Sequence, residues 1–214
     1  AAGRPSYLQS LAANAQADLA TKVAILRTQI GNGQIERALA YANQLLAQEP
    51  DNPEVQFING SVQVLAGNTA AAEATMRQLV AADASRIQAW MTLVRIVSSD
   101  PKRTDEAAKL IDDAQKAAPD VPELKWAKAG ILERKGDYAG AIAIYEDLYK
   151  GNSGNPIVAN NLASLLSAHS TEPDSLNRAE LIARRLRGST VPAFQDTYGW
   201  IAYLRGNYAE AEPE

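Results

Sequence analysis

One phrase constrains this chain more than any other: a glycine, a polar residue, and an alanine five positions after the glycine. It occurs at Gly33–Ala38, Gly67–Ala72, Gly136–Ala141 and Gly206–Ala211. The first two copies start 34 residues apart, and the last two 70 apart, which is two periods and a small insertion. Ala107 and Ala179 fill the vacant places, so the ladder reads Ala38, Ala72, Ala107, Ala141, Ala179 and Ala211. Self-similarity at this period means stacked helical units, each burying its apolar face against the next.

The ladder cuts the chain into five full units, residues 19–52, 53–86, 87–121, 122–155 and 156–191, with a partial sixth at 192–214. Each full unit holds two helical stretches. In residues 53–86, Val55, Ile58, Val62 and Leu65 recur at helical spacing, Gly67-Asn68 turns the chain, and Ala72, Met76, Leu79 and Val80 share a second face. Asp51-Asn52-Pro53 and Asp120-Val121-Pro122 close one unit and open the next, proline suiting a first helical turn. Insertions are expected near Ser98-Ser99-Asp100-Pro101 and Thr171-Glu172-Pro173-Asp174. Residues 1–18 read as an N-terminal capping helix, with Tyr7, Leu8, Leu11 and Leu19 on one side. The sequence stops within the second helix of the sixth unit. An array open there is expected to belong to a longer protein, to self-associate through that end, or to fray.

These residues resemble the tetratricopeptide repeat over about residues 19–214. The resemblance implies an all-α, right-handed superhelical solenoid of helix-turn-helix hairpins. The family places small residues where the two helices cross, at the eighth position of the first helix and at the ladder alanine. The eighth position here holds Leu26, Gly60, Val94, Ala129, Ala163 and Gly199. The proline that ends the family's repeat is matched by Pro50 and Pro119 but replaced by Ala84, Ser153 and Val191. Asn59 and Lys128 stand where the family has a core leucine. A lysine in a core position predicts a slight rotation of its helix.

Catalytic constellations are missing from the sequence. There is no cysteine and one histidine, His169, so thiol nucleophiles, triads and most metal sites are unavailable. His169 reads as a residue at a helix end. Asp112-Asp113 and Glu210/Glu212 read as exposed helix faces without partners that would tune them. The glycines are turn residues rather than a phosphate loop. Neither enzymatic activity nor a cofactor is expected. With a net charge of −4, the chain has no broad basic surface, and Arg184-Arg185-Leu186-Arg187 reads as a helix end suited to the dipole. No nucleic acid is expected as partner, and no apolar run is long enough for a membrane span.

In the family the first helices line a concave groove, and the resemblance carries that role onto particular positions. They include Arg27, Phe57, Ser61, Met91, Arg95, Trp126, Asn160, Asn161, Ser164 and Trp200. Phe57, Met91 and Trp126 read either as an apolar stripe along the groove or as packing between neighbouring helices. Arg27 and Arg95 suit a carboxylate or a backbone carbonyl. Asn160 and Asn161 suit the main chain of an extended peptide, since each amide both donates and accepts. Of the family's carboxylate clamp for chaperone tails only Asn161 fits its position, so that partner is not expected.

Two phrases narrow the resemblance. Asn160-Asn161-Leu162-Ala163 and Asp196-Thr197-Tyr198-Gly199-Trp200 look like a pair found in long bacterial tetratricopeptide proteins, many of them envelope proteins linked to exopolysaccharide export. The expectation is a non-catalytic scaffold holding a protein or peptide partner, placed in the bacterial periplasm or envelope rather than the cytoplasm, within a polysaccharide secretion assembly. The alternative is the substrate-recruiting arm of a larger enzyme such as a glycosyltransferase. Direct glycan binding, with Trp126, Trp200 and Tyr203 stacking on sugars, is a third reading.

Overall fold

Among the described residues, four of the five glycines with left-handed backbone sit where the repeated phrase puts its turn. Gly33, Gly67, Gly136 and Gly206 have φ of 71°, 80°, 77° and 78°, a region where a side chain costs energy. Each closes a first helix in the same way. The residue after the glycine donates its N–H five residues back: Gln34 to Gln29, Asn68 to Gln63, Asp137 to Leu132 and Asn207 to Ala202, at 2.8–2.9 Å. This bond satisfies a carbonyl that the helix end leaves without a partner.

The computed structural model describes residues 18–208. The capping helix expected over residues 1–18 therefore lies outside the described residues save for Asp18, as does the sixth unit beyond Tyr208. Asp18 caps the first described helix, its carboxylate accepting from the Thr21 N–H at 2.7 Å.

The chain packs as two compact units, residues 1–103 and 104–214, and the boundary falls just after the first expected insertion. The first unit holds α1 (Leu19–Gly31), α2 (Ile35–Gln48), α3 (Pro53–Leu65), α4 (Thr69–Ala82), α5 (Ile87–Ser98) and a 3-10 turn (Pro101–Arg103). The second holds α6 (Thr104–Ala117), α7 (Pro122–Arg134), α8 (Tyr138–Gly151), α9 (Pro156–His169), α10 (Ser175–Ala183), a 3-10 turn (Arg184–Leu186) and α11 (Pro192–Leu204). Within each unit every helix packs on the next in sequence, and first helices also meet first helices: α3 touches α5, and α9 touches α11. No strand occurs among the described residues.

Prolines open α3 and α7, as the sequence predicts, and α9 and α11 as well. Asn52 and Asn155 cap α3 and α9, each accepting from two amides of the first turn. The described ladder alanines, Ala38, Ala72, Ala107, Ala141 and Ala179, all have no exposed surface. Each stands where a second helix approaches closely, and a larger side chain would have no room. Gly60 shows how close the approach is: a Cβ there would lie 2.7 Å from Met76 Cε across the α3–α4 crossing.

The two residues that depart from the family's core leucine are both provided for. Asn59 is buried and donates to the Asn43 side chain at 2.8 Å. Lys128 is half-buried, and its ammonium reaches Asp112 at 2.9 Å and Gln115 at 3.3 Å on the preceding second helix. Its long stem covers apolar surface while the charge escapes to a carboxylate, so the lysine fits at this position.

Candidate functional site

Most arginines on second helices and at junctions are engaged in holding the stack. Arg86, capping α5, reaches Glu54 at 2.8 Å; Arg205 reaches Glu180 at 2.9 Å; Arg185 donates to the Ser153 carbonyl at 2.7 Å and lies over the Tyr149 ring; Arg178 pairs with Glu146. Partners lying roughly one repeat apart tie successive hairpins together. By contrast, Arg27 on α1, Arg95 on α5 and Arg134 on α7 are exposed and make no ion pair or hydrogen bond through their side chains among the described residues. Arg37 on α2 is likewise free. The faces of the first helices thus keep guanidinium groups that the fold does not consume.

In the first unit those faces carry the expected apolar residues. Phe57 on α3 and Met91 on α5 are half-buried, on helices that touch. Arg27 borders an open apolar depression formed by Leu19, Ala20, Val23 and Ala24 on α1. Ser61 is half-buried, and its hydroxyl donates to the Phe57 carbonyl of its own helix at 2.8 Å, leaving lone pairs only. Trp126, the third member of the expected stripe, belongs to the other unit.

In the second unit, several of the predicted residues are joined by a residue that the sequence does not single out. Tyr145 of α8 is almost wholly buried, and its hydroxyl is a junction. It donates to the Glu133 carboxylate at 3.0 Å and accepts from the Asn161 amide at 3.1 Å, with the Trp126 indole close by. Burial, reinforced by the Glu133 charge, pushes the phenol up to about 12. Asn161 in turn accepts from Asn160 at 3.3 Å, and the Asn160 carbonyl oxygen is buried without a partner. Asn161 is therefore engaged inside the fold, whereas Asn160 keeps an unmet acceptor. Ser164, one turn further along α9, is exposed. The available signal for Tyr145 was a phenol in a core position of a second helix, a group that needs a polar partner when buried.

The last described segment exposes its aromatic residues. Trp200, Tyr203 and Tyr208 are 53%, 54% and 64% exposed. The Trp200 and Tyr203 rings lie 5.8 Å apart and 19° from parallel, and Tyr208 meets Tyr203 edge-on at 5.6 Å. His169, the single histidine, stacks on Tyr138 at 3.5 Å and takes no part in this surface. Among the described residues no helix is long and apolar enough to cross a membrane, and no cluster of three or more acidic or histidine side chains could hold a metal ion.

An array of antiparallel helical hairpins with alanine at every crossing is a repeat scaffold of the kind that binds proteins. Two family models, both described as tetratricopeptide repeat, match residues 29–96 and 102–156, more than half of the chain together. The chain belongs to the tetratricopeptide repeat family, whose members are protein-interaction scaffolds and bind peptides or proteins. No curated protein matches it in sequence. Among solved structures it is similar to Pseudomonas aeruginosa pilF, with a TM-score of 0.73 at 15% identity over 90% of this chain and 86% of that one. It is also similar to PilW, described as a widely conserved type IV pilus biogenesis factor, with a TM-score of 0.70 at 15% identity over 91% and 90% of the two chains. A tetratricopeptide repeat protein from Parabacteroides merdae gives a TM-score of 0.65 at 15% identity over 90% and 74%.

Proposed function

We propose that this chain is a non-catalytic scaffold that holds a protein or peptide partner against the exposed faces of its first helices. The observation that carries this reading is the set of free arginines on the first helices. Surface guanidinium groups in this fold are mostly tied to carboxylates or carbonyls, yet Arg27, Arg95 and Arg134 stand free on first helices, two of them in a unit with half-buried Phe57 and Met91. Arginine and aromatic side chains dominate binding hot spots because each combines a large contact area with directed polar contacts. A further support is the unmet acceptor of Asn160, which a peptide N–H satisfies once the amide turns outward.

We place the scaffold in a bacterial envelope or secretion assembly, with the periplasm as its compartment. The paired phrases at Asn160–Ala163 and Asp196–Trp200 support this placement. The pilus biogenesis factor PilW among the similar structures is consistent with it, although at 15% identity it speaks for the fold alone.

The test is affinity capture from a bacterial envelope extract with the wild-type chain and with the triple variant Arg27→Ala, Phe57→Ala, Arg95→Ala. Helix content measured by circular dichroism should be unchanged, because none of the three side chains is fully buried. The capture of a specific partner should fall at least tenfold. Undiminished capture by the folded variant places the partner elsewhere and ends this reading.

A further inference from the structure

On α11, Asp196, Trp200 and Tyr203 follow one another at intervals of four and three residues, so they lie along one helical face. All three are exposed, while Ile201 and Ala202 turn into the core. Trp200 and Tyr203 stack nearly parallel and together make an aromatic floor through their outer faces and edges, and Tyr208 meets the Tyr203 ring edge-on. Asp196 is the one charged residue of α11, and its carboxylate has no partner among the described residues. The neighbouring first helix α9 adds Asn160 and Ser164 and no acidic side chain, and its one basic residue, His169 at the far end, is stacked on Tyr138. Arg205, the nearest cation in sequence, is held by Glu180. The face is therefore aromatic with a net negative charge.

We propose that this face binds a cationic side chain, arginine above all, of an extended peptide. The inference rests on the scaffold reading and names the chemistry of the partner in the second unit. Charge complementarity favours this occupant. A guanidinium is planar, weakly hydrated and stacks on aromatic faces while its N–H groups reach a carboxylate. The corner made by Trp200, Tyr203 and Tyr208 offers the stacking surfaces, and Asp196, one turn before Trp200, offers the counter-charge. A neutral sugar would use the floor but leave the carboxylate with only hydroxyl partners. An acidic peptide would be repelled by it.

The test uses the full chain and three fluorescein-labelled twelve-residue peptides in which glycine alternates with arginine, glutamate or glutamine. Fluorescence anisotropy measures binding at low and at physiological salt. The arginine peptide should bind and the other two should not, with affinity falling as salt rises. Asp196→Asn should weaken it by about threefold to tenfold and reduce the salt dependence. Trp200→Ala should weaken it by a similar factor of about threefold to tenfold. The triple variant in the first unit should bind it as the wild type does.

Equal binding of the glutamate peptide, or unchanged affinity in both Asp196→Asn and Trp200→Ala, overturns the proposal. So does Trp200-dependent binding of chitohexaose in place of the arginine peptide, which would assign the floor to sugars. Absence of arginine-peptide binding with the partner capture described above intact overturns the cation assignment alone. Loss of both overturns the scaffold reading as well.

Discussion

At the scale of single residues, Glu73 shows how the fold spends its charges. Its carboxylate accepts two bonds from Arg103, at 2.7 and 2.8 Å, and two more from Arg77 of its own helix. The Arg103 fork, helped by Arg77, holds the carboxyl at about 2, far below its ordinary 4.5. Because the folded value is the lower one, the stabilisation is complete above about pH 5 and drains away as the pH falls through the folded value near 2. A carboxylate this well bonded and mostly shielded contributes on the order of 2 kcal/mol. Urea midpoints at pH 6 and pH 3 should show a marked loss for the wild type. Glu73→Gln should be less stable at pH 6 and lose less on acidification. An equal acid loss in both proteins would assign the sensitivity to other groups. The same scale explains why Tyr145 does not stand out in the sequence: its partners Glu133 and Asn161 are brought together only when three helices pack.

At the scale of elements, two glycines separate the effects of backbone and space. Gly67 has φ of +80° at the close of α3, and a Cβ placed on it would meet nothing within 4 Å. Gly67→Ala should therefore cost about 1 kcal/mol through backbone strain alone. Gly130 lies inside α7 with ordinary helical backbone and equally open space. Gly130→Ala should raise stability by about 0.5–1 kcal/mol, because alanine loses less conformational freedom in a helix. Chemical denaturation of the two variants should give midpoint shifts of opposite sign, and shifts of the same sign would refute the assignment. The glycine-alanine phrase was legible because, in the four hairpins that carry it, it combines both requirements: a left-handed turn residue and a side chain small enough for a crossing.

At the scale of the whole molecule, contacts run between neighbours, so energetic effects should stay local. Ala72 has no exposed surface at the α3–α4 crossing, and Ala72→Leu should cost about 1–3 kcal/mol by overpacking. Hydrogen exchange should quicken over residues 53–82 and stay near wild type over residues 138–186, which belong to the other compact unit. A uniform rise across both regions would show that the chain unfolds as one body. This locality also shapes function. Each unit can present its own chemistry: free arginines with apolar neighbours in the first, and a carboxylate with aromatic rings in the second.

The hairpin count, the turn positions and the residues at each crossing follow from the sequence by itself, because a ladder alanine at a period near 34 residues, with a glycine turn before four of the six, is a local requirement repeated along the chain. The faces of the first helices were legible as positions for the same reason. Their chemistry was decided by tertiary structure. Lys128 is tolerated in a core position because Asp112 stands on the adjoining helix. Asn161 is drawn inward by Tyr145, sixteen residues away, while Arg27 and Arg95 stay free because no carboxylate among the described residues reaches them. Whether a polar side chain is consumed or left for a partner depends on what packing brings beside it, and no repeat pattern specifies that.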